Sequence, residues 1–337
     1  MSAVYGARCA AAVVLALAVA GCTPTATEGV VKARAAGSGP MGMFQTDAVT
    51  VSTPGAFKGL NRVAIGSFIV GFSTYDTSSV RSRGGGSAAR NTLVGVDGAL
   101  MQRVTDEAYA GLVRTLTAQG YTVVDRAGLA ADPRYASTKT YPNPYEDSSG
   151  GLFGDRSRVS YVSPTGFGGV RVFAGDIQGT IGGFGPDNPA AAPMAYAAAS
   201  GTQVLHAVYV LGFVNATGGM RLTSMVEVGQ GITARPVVTK LGVVGGAGGT
   251  FSNGSGTVSL GQPVTSEREF AFVQQTTTGG AKAAEAAVNV LTALAGVGGS
   301  VARDFDFTVR PGDYVAAAGE TLNQVTTALV SKAAALR

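Results

Sequence analysis

Acid–base, nucleophilic or metal chemistry in this chain would have to be assembled from one histidine, two cysteines and 21 carboxylates in 337 residues. His206 lies in TQVLHAVYVLGFVNA, where both alternating sets of positions are apolar. A histidine in such a strand reads as a packed or hydrogen-bonded core residue, not as a base or ligand. There is no G-x-S-x-G elbow and no phosphate-cradling loop with its lysine. The glycine clusters at 84–86 and 245–249 read as turns. Asp304 and Asp306 share one face of a strand, and Asp106 adjoins Glu107 on a helix. A glycosidase needs two carboxyls across a cleft at a set separation, so both pairs read as solvated faces. Tyr141 and Tyr145 in TYPNPYED could touch a sugar or peptide; a Pro/Tyr-rich loop is the simpler reading. Arg81, Arg83 and Arg90 are interleaved with GGGS and lack stacking aromatics, so a solvated loop is expected there and no nucleic-acid site. The expectation is a non-enzyme with no catalytic residue, no cofactor and no metal.

The cysteines point elsewhere. Cys22 follows an apolar run from Ala10 to Ala20, preceded by Arg8 and followed by TPTAT. That run is shorter than the ~20 residues of a membrane span, and its flanks are those of an export signal. Val19-Ala20-Gly21-Cys22 resembles a bacterial lipobox, which implies cleavage after Gly21 and acylation of Cys22. Cys9 would leave with the signal, so the mature chain would hold no disulfide and no free thiol. With one imidazole besides, a Cys/His zinc site is excluded. One acyl chain anchors only marginally; the several chains of such an N-terminus imply stable attachment. Thr23, where an aspartate would retain the protein at the inner membrane by the enterobacterial rule, points to the outer membrane.

The rest of the chain must position a body on that anchor. Hydrophobic residues make up 45% and charged residues 14%, so the chain folds rather than remaining disordered. Residues 1–21 read as signal peptide, 22–58 as a flexible tether, and 59–337 as a single domain. Order begins at NRVAIGSFIVGF, where the apolar phase shifts near Gly66-Ser67, as at a bulge. Residues 73–92 read as an exposed loop. From Asp97 to Gly120, Leu100, Val104, Ala108, Leu112 and Leu116 recur every four residues, predicting a helix with both its caps. YTVVD follows as a strand. The stretch 130–169 shows no period and reads as a long loop or insertion, with a short strand resuming at GVRVFA. A short helix near 190–200 leads to a central strand at 204–214. Antiparallel strands follow through 260, with a tight turn at Asn253-Gly254. A helix at 282–299, the alternating strand VARDFDFTV and a C-terminal helix with the stripe Tyr314, Ala318, Leu322, Val325 and Leu329 complete the chain. This is an α/β (α+β) fold: a central mixed sheet flanked by amphipathic helices, with an added antiparallel hairpin region and a long inserted loop.

RVAIGSF, the long amphipathic helix and then YTVVDRAGL resemble the periplasmic α/β unit of curli-secretion-type lipoproteins and the N-terminal domain of the TolB group. The matching positions are Val123, Val124, Asp125, Arg126 and Leu129, with AAASGTQVLHAVYVLGFVNA resembling the small-residue helix and central strand of that unit. The chain departs from it at 130–169 and shows no clear pair of membrane-crossing hairpins. The resemblance implies the fold and an envelope location.

Together these readings favour a lipid-anchored structural or assembly component on the periplasmic face of the outer membrane. It would be attached through its lipid and expected to have a protein partner in the envelope. A subunit of an oligomeric curli-type secretion pore, and with it a homo-oligomer, is one alternative. A carboxylate-dependent periplasmic enzyme is the other.

Overall fold

The computed structural model describes residues 29–30, 47–82, 85–148, 157–173, 176–177, 191–220, 224–245, 254–266, 268–294 and 299–337. The signal, Gly21 and Cys22 lie outside the described residues, as does Asn253 of the expected tight turn. The chain opens with β1 (Gly29–Val30), β2 (Val49–Ser52), a 3-10 turn at Pro54–Phe57, β3 (Arg62–Ser82) and β4 (Gly85–Val94). Helix α1 (Gly98–Ala118), β5 (Thr122–Val124), α2 (Ala127–Ala131), α3 (Pro133–Ala136), β6 (Tyr145–Asp147) and β7 (Ser157–Val162) follow. Next come α4 (Ala191–Ser200), β8 (Gln203–Met220), β9 (Ser224–Ala234), β10 (Lys240–Val244) and β11 (Ser255–Leu260). The last elements are β12 (Val264–Thr265), β13 (Ala271–Gln275), α5 (Gly279–Leu294), β14 (Gly299–Val309) and α6 (Pro311–Ala334).

The strands form one mixed sheet with the order β1-β13-β14-β4-β3-β8-β10-β11-β2, in an α/β fold. Its centre is the parallel pair β3–β8, from Val63 opposite Gln203 to Phe72 opposite Leu211. The register shifts between Ile65 and Ser67, at the bulge that the apolar phase anticipates. Gly66 is required there, because a Cβ would come within 2.6 Å of Val204 Cγ1. The bulge returns Phe68, Val70 and Phe72 to the face that Val63 and Ile65 occupy, and all five are buried in the main core. Covering that face are α1 and α6, packed against each other.

Local chemistry sets both helices. Asp97 caps α1 by accepting from the Leu100 amide at 2.8 Å. Gly120, at φ +82°, ends it in the left-handed conformation that favours glycine. In α6, Pro311 opens the first turn, and Tyr314, Ala318, Leu322, Val325 and Leu329 are buried as the spacing predicts. Each buried leucine or valine contributes roughly 1.5–3 kcal/mol. Alternation in β14 likewise turns Phe305, Phe307 and Val309 inward. The sheet curls enough for Phe213 of β8 to meet the Phe307 ring edge-to-face at 5.2 Å.

Four expectations are corrected. The tether does not extend to residue 58: Val49–Ser52 pairs with β11, and Ala56 and Phe57 are fully buried, so this segment belongs to the body. Residues 73–92 are not a loop. The outer half of β3 pairs with β4, and β4 pairs in parallel with β14. The stretch 130–169 is no mere insertion, because β7 joins the sheet along β3 and buries Tyr161 and Val162. Over its described residues, 169–173, GVRVFA forms no strand; Val170 makes an isolated bridge to Tyr141.

Beyond Phe72 and Leu211 the two central strands take other partners. β3 continues with β4 from Tyr75 to Ser82, and β8 continues with β9 as far as Met220 opposite Ser224. At ~3.3 Å per residue each ribbon is about 30 Å long. Two long ribbons, β3–β4 and β8–β9, thus leave the centre of the sheet, the first with β14 beside it.

Candidate functional site

The face of the sheet opposite α1 carries the densest buried chemistry. His206 on β8, Lys240 on β10 and Asp176 on the covering loop converge there, and all three are buried. Antiparallel pairing of β8 and β10 sets Lys240 opposite Val208 and Gly242 opposite His206. Asp176 Oδ1 lies 3.0 Å from His206 Nδ1 and 3.3 Å from Lys240 Nζ. The Phe173 amide donates to Asp176 Oδ2 at 2.9 Å, and the Phe173 ring packs on the imidazole at 5.0 Å.

Burial alone would raise the Asp176 carboxyl. The charge and hydrogen bond of His206, with Lys240 and the Phe173 amide, outweigh it and hold the group below its usual value. A charged Asp176 accepts a hydrogen bond from the Nδ1–H of His206, with Nε2 directed over Gly242. A Cβ at position 242 would lie 1.9 Å from Nε2, so only glycine fits beneath the ring.

Ser67 stands in register with His206 on β3, which raises a Ser-His-Asp arrangement. The geometry rejects it. Nε2 faces β10, on the far side of β8 from Ser67, and the serine hydroxyl donates to the Arg171 carbonyl at 2.6 Å. The cluster is a closed lock that fastens the loop around Asp176 to the sheet. His206 is thus a hydrogen-bonded core residue, as read from its strand. Gly242→Ala is expected to lower stability by about 1–3 kcal/mol through overpacking against the ring. A shift of the denaturant midpoint, with the wild-type slope, checks this.

The other sequence candidates scatter. Asp304 pairs with Arg90 at 2.7 Å across β14 and β4, both side chains partly exposed, so Arg90 stands on a strand and not in a solvated loop. Arg83 lies outside the described residues. Asp106 is more than a solvated face: it accepts from the Thr165 amide at 2.7 Å, the Thr165 hydroxyl at 2.8 Å and Gln102 at 3.0 Å. These bonds pin the segment after β7 to α1. The Tyr141 and Tyr145 rings lie 4.6 Å apart, and Tyr145 stacks on Tyr161 at 6.4 Å, against a minor core cluster. An open groove of about 690 Å³ runs beside the start of α1, lined by Leu93, Met101, Pro144, Glu146, Arg158 and Ser160. Ser160 donates to Glu146 there, so the groove's carboxylate is already engaged.

Among the described residues no group of three or more His, Cys, Asp or Glu could hold a metal ion. No described helix is long and apolar enough to cross a membrane. Sequence reasoning missed Asp176, which sits in an aperiodic Gly/Asp/Pro stretch and gave no signal. Lys240 gave one: a single cation inside the apolar strand LGVV's leading edge calls for a buried counter-ion. No family model, curated protein or solved structure matches the chain.

Proposed function

We propose that the protein is a lipid-anchored, non-catalytic component of the periplasmic face of the outer membrane that acts by holding or assembling a partner protein. The observation that carries this reading is the pair of long ribbons leaving the β3–β8 centre. Along β9, residues 224–230, Thr233 and Ala234 pair with β8 on one side, and among the described residues Thr233 and Ala234 pair with β12 on the other. An edge with no ladder partner among the described residues along 224–229 is a template for another strand. The body's ionisable side chains support the same reading, because His206, Asp176, Lys240, Asp106 and Asp304 are engaged in holding the fold. Anchoring at Cys22 would set such an edge beside the membrane.

A pore subunit is the second reading, favoured by ribbon length, since a membrane-crossing strand needs about 9–11 residues. The Arg90–Asp304 pair weighs against it, because both charges occupy the outer face of β4 and β14. Extraction in mild detergent followed by native mass measurement separates the two. The assembly reading expects a monomer or a complex with a different protein. A ring-sized homo-oligomer would replace it with the pore.

A further inference from the structure

Among the described residues, two arginines stand apart by a buried guanidinium Nε that has no hydrogen-bond partner, Arg126 and Arg171. Arg90, Arg134, Arg235, Arg268, Arg303 and Arg310 each have a carboxylate partner. Arg126 and Arg171 have none among the described residues. Arg126 follows β5 and stacks its guanidinium 4.0 Å over the Phe167 ring, with one donor to the Gly166 carbonyl at 3.3 Å. Arg171 lies 4.7 Å over the Tyr135 ring and gives Nη1 to the Tyr135 carbonyl at 2.9 Å and the Thr138 hydroxyl at 2.8 Å. The Nε–H of both is buried without a hydrogen-bond partner.

Both cations act on Tyr135, whose hydroxyl donates to the Gly66 carbonyl at the bulge. Burial lowers the Arg171 guanidinium from its ordinary value, opposed by Tyr135 and aided by the positive charge of Arg126. Two like charges, half-buried and sharing one tyrosine, repel each other. Unmet guanidinium donors in such a place call for an explanation, and an absent anion is one. The nearest carboxylates in sequence are occupied: Asp125 caps its own turn at the Ala127 amide, and Asp132 is paired with Arg134. Gly166 and Gly168, both at positive φ, have open space where a Cβ would stand, so the loop beside Arg126 leaves room.

We propose that Arg126 and Arg171 form a binding site for a phosphate group. Guanidinium forks match tetrahedral oxyanions through paired N–H donors, and planar stacking on Phe167 and Tyr135 fixes their orientation. The phosphate belongs either to a soluble monoester or to a lipid headgroup, since the anchored body works at a membrane surface.

The test uses the full-length protein in detergent. Inorganic phosphate and phenyl phosphate are titrated by calorimetry, and nanodiscs are compared with and without phosphatidylglycerol. Arg126→Gln and Arg171→Gln should each weaken binding about tenfold to a hundredfold. Arg126→Lys and Arg171→Lys, which keep the charge and lose the fork, should weaken it as well, and Arg134→Gln should leave it unchanged. Far-UV circular dichroism confirms that each variant is folded. Saturable binding of the soluble phosphates supports the site with a soluble ligand. Binding only to phosphatidylglycerol nanodiscs, lost in the same variants, supports it with a lipid. No saturable binding of either kind, or equal binding by folded Gln variants, overturns the proposal.

Discussion

Asp176→Asn is expected to lower the unfolding free energy by about 3–5 kcal/mol, because it removes the buried carboxylate that pairs with Lys240 and hydrogen-bonds His206. Asparagine keeps the shape of the side chain and can still accept from the Phe173 amide, so the loss reports the charge together with the His206 hydrogen bond. Lys240 Nζ would be left facing a neutral amide, and His206 would lose its acceptor. Denaturant unfolding of the detergent-solubilised protein at neutral pH measures the effect; a change under ~1 kcal/mol would mean that the cluster contributes nothing as an ion pair. Lys240→Met in the Asp176→Asn background should recover part of the loss, since an apolar replacement removes the buried cation that Asp176 pairs with. The pH dependence has a fixed sign. The folded carboxyl titrates below its ordinary 3.8, so its contribution is full above that value. It declines as pH falls toward the folded value and is absent below it.

Legibility in the sequence followed the range of the interactions. Where burial and backbone period act within one element, the residues declared it: the four-residue stripe of α1, the alternation of β14, and the phase shift that becomes the Gly66 bulge. Each of those needs only its own neighbours in the chain. The missed elements depend on distant partners. VTVS at 49–52 alternates, yet it is too short to stand out in a Thr/Ser/Gly stretch until β11 pairs with it. The outer halves of β3 and β4 are polar, and only the ladder to β14, more than 200 residues later, makes them strands. The segment 157–162 was hidden by its Pro- and Gly-rich flanks, although Val159, Tyr161 and Val162 are buried. Asp176 shows the limit most clearly, because nothing local distinguishes a buried carboxylate in a loop from an exposed one. The candidate site was legible only through His206 and, in retrospect, Lys240.

The second large effect concerns the anchor. Cys22→Ser is expected to abolish acylation and release the protein from stable membrane association. A serine hydroxyl cannot form the thioether that carries the diacylglycerol. Each buried methylene contributes about 0.8 kcal/mol, so losing several acyl chains removes nearly all of the membrane affinity. The signal is also expected to stay attached, because cleavage before an acylated cysteine requires the modification. The body should be indifferent to the change, since its first sheet strand, β1, starts at Gly29 and position 22 lies upstream of it. Fractionation of cells and denaturant unfolding of both forms check these two halves separately: attachment lost, unfolding midpoint unchanged.

The central claim is that this protein works from a lipid anchor at Cys22, and metabolic labelling with a clickable fatty acid tests it most directly. The wild-type protein should take up label, and mass spectrometry should place it on a mature N-terminus at Cys22, with no label in Cys22→Ser. Equal labelling of both forms, or an unacylated wild type beginning at another residue, would contradict the anchor and the envelope location that depends on it.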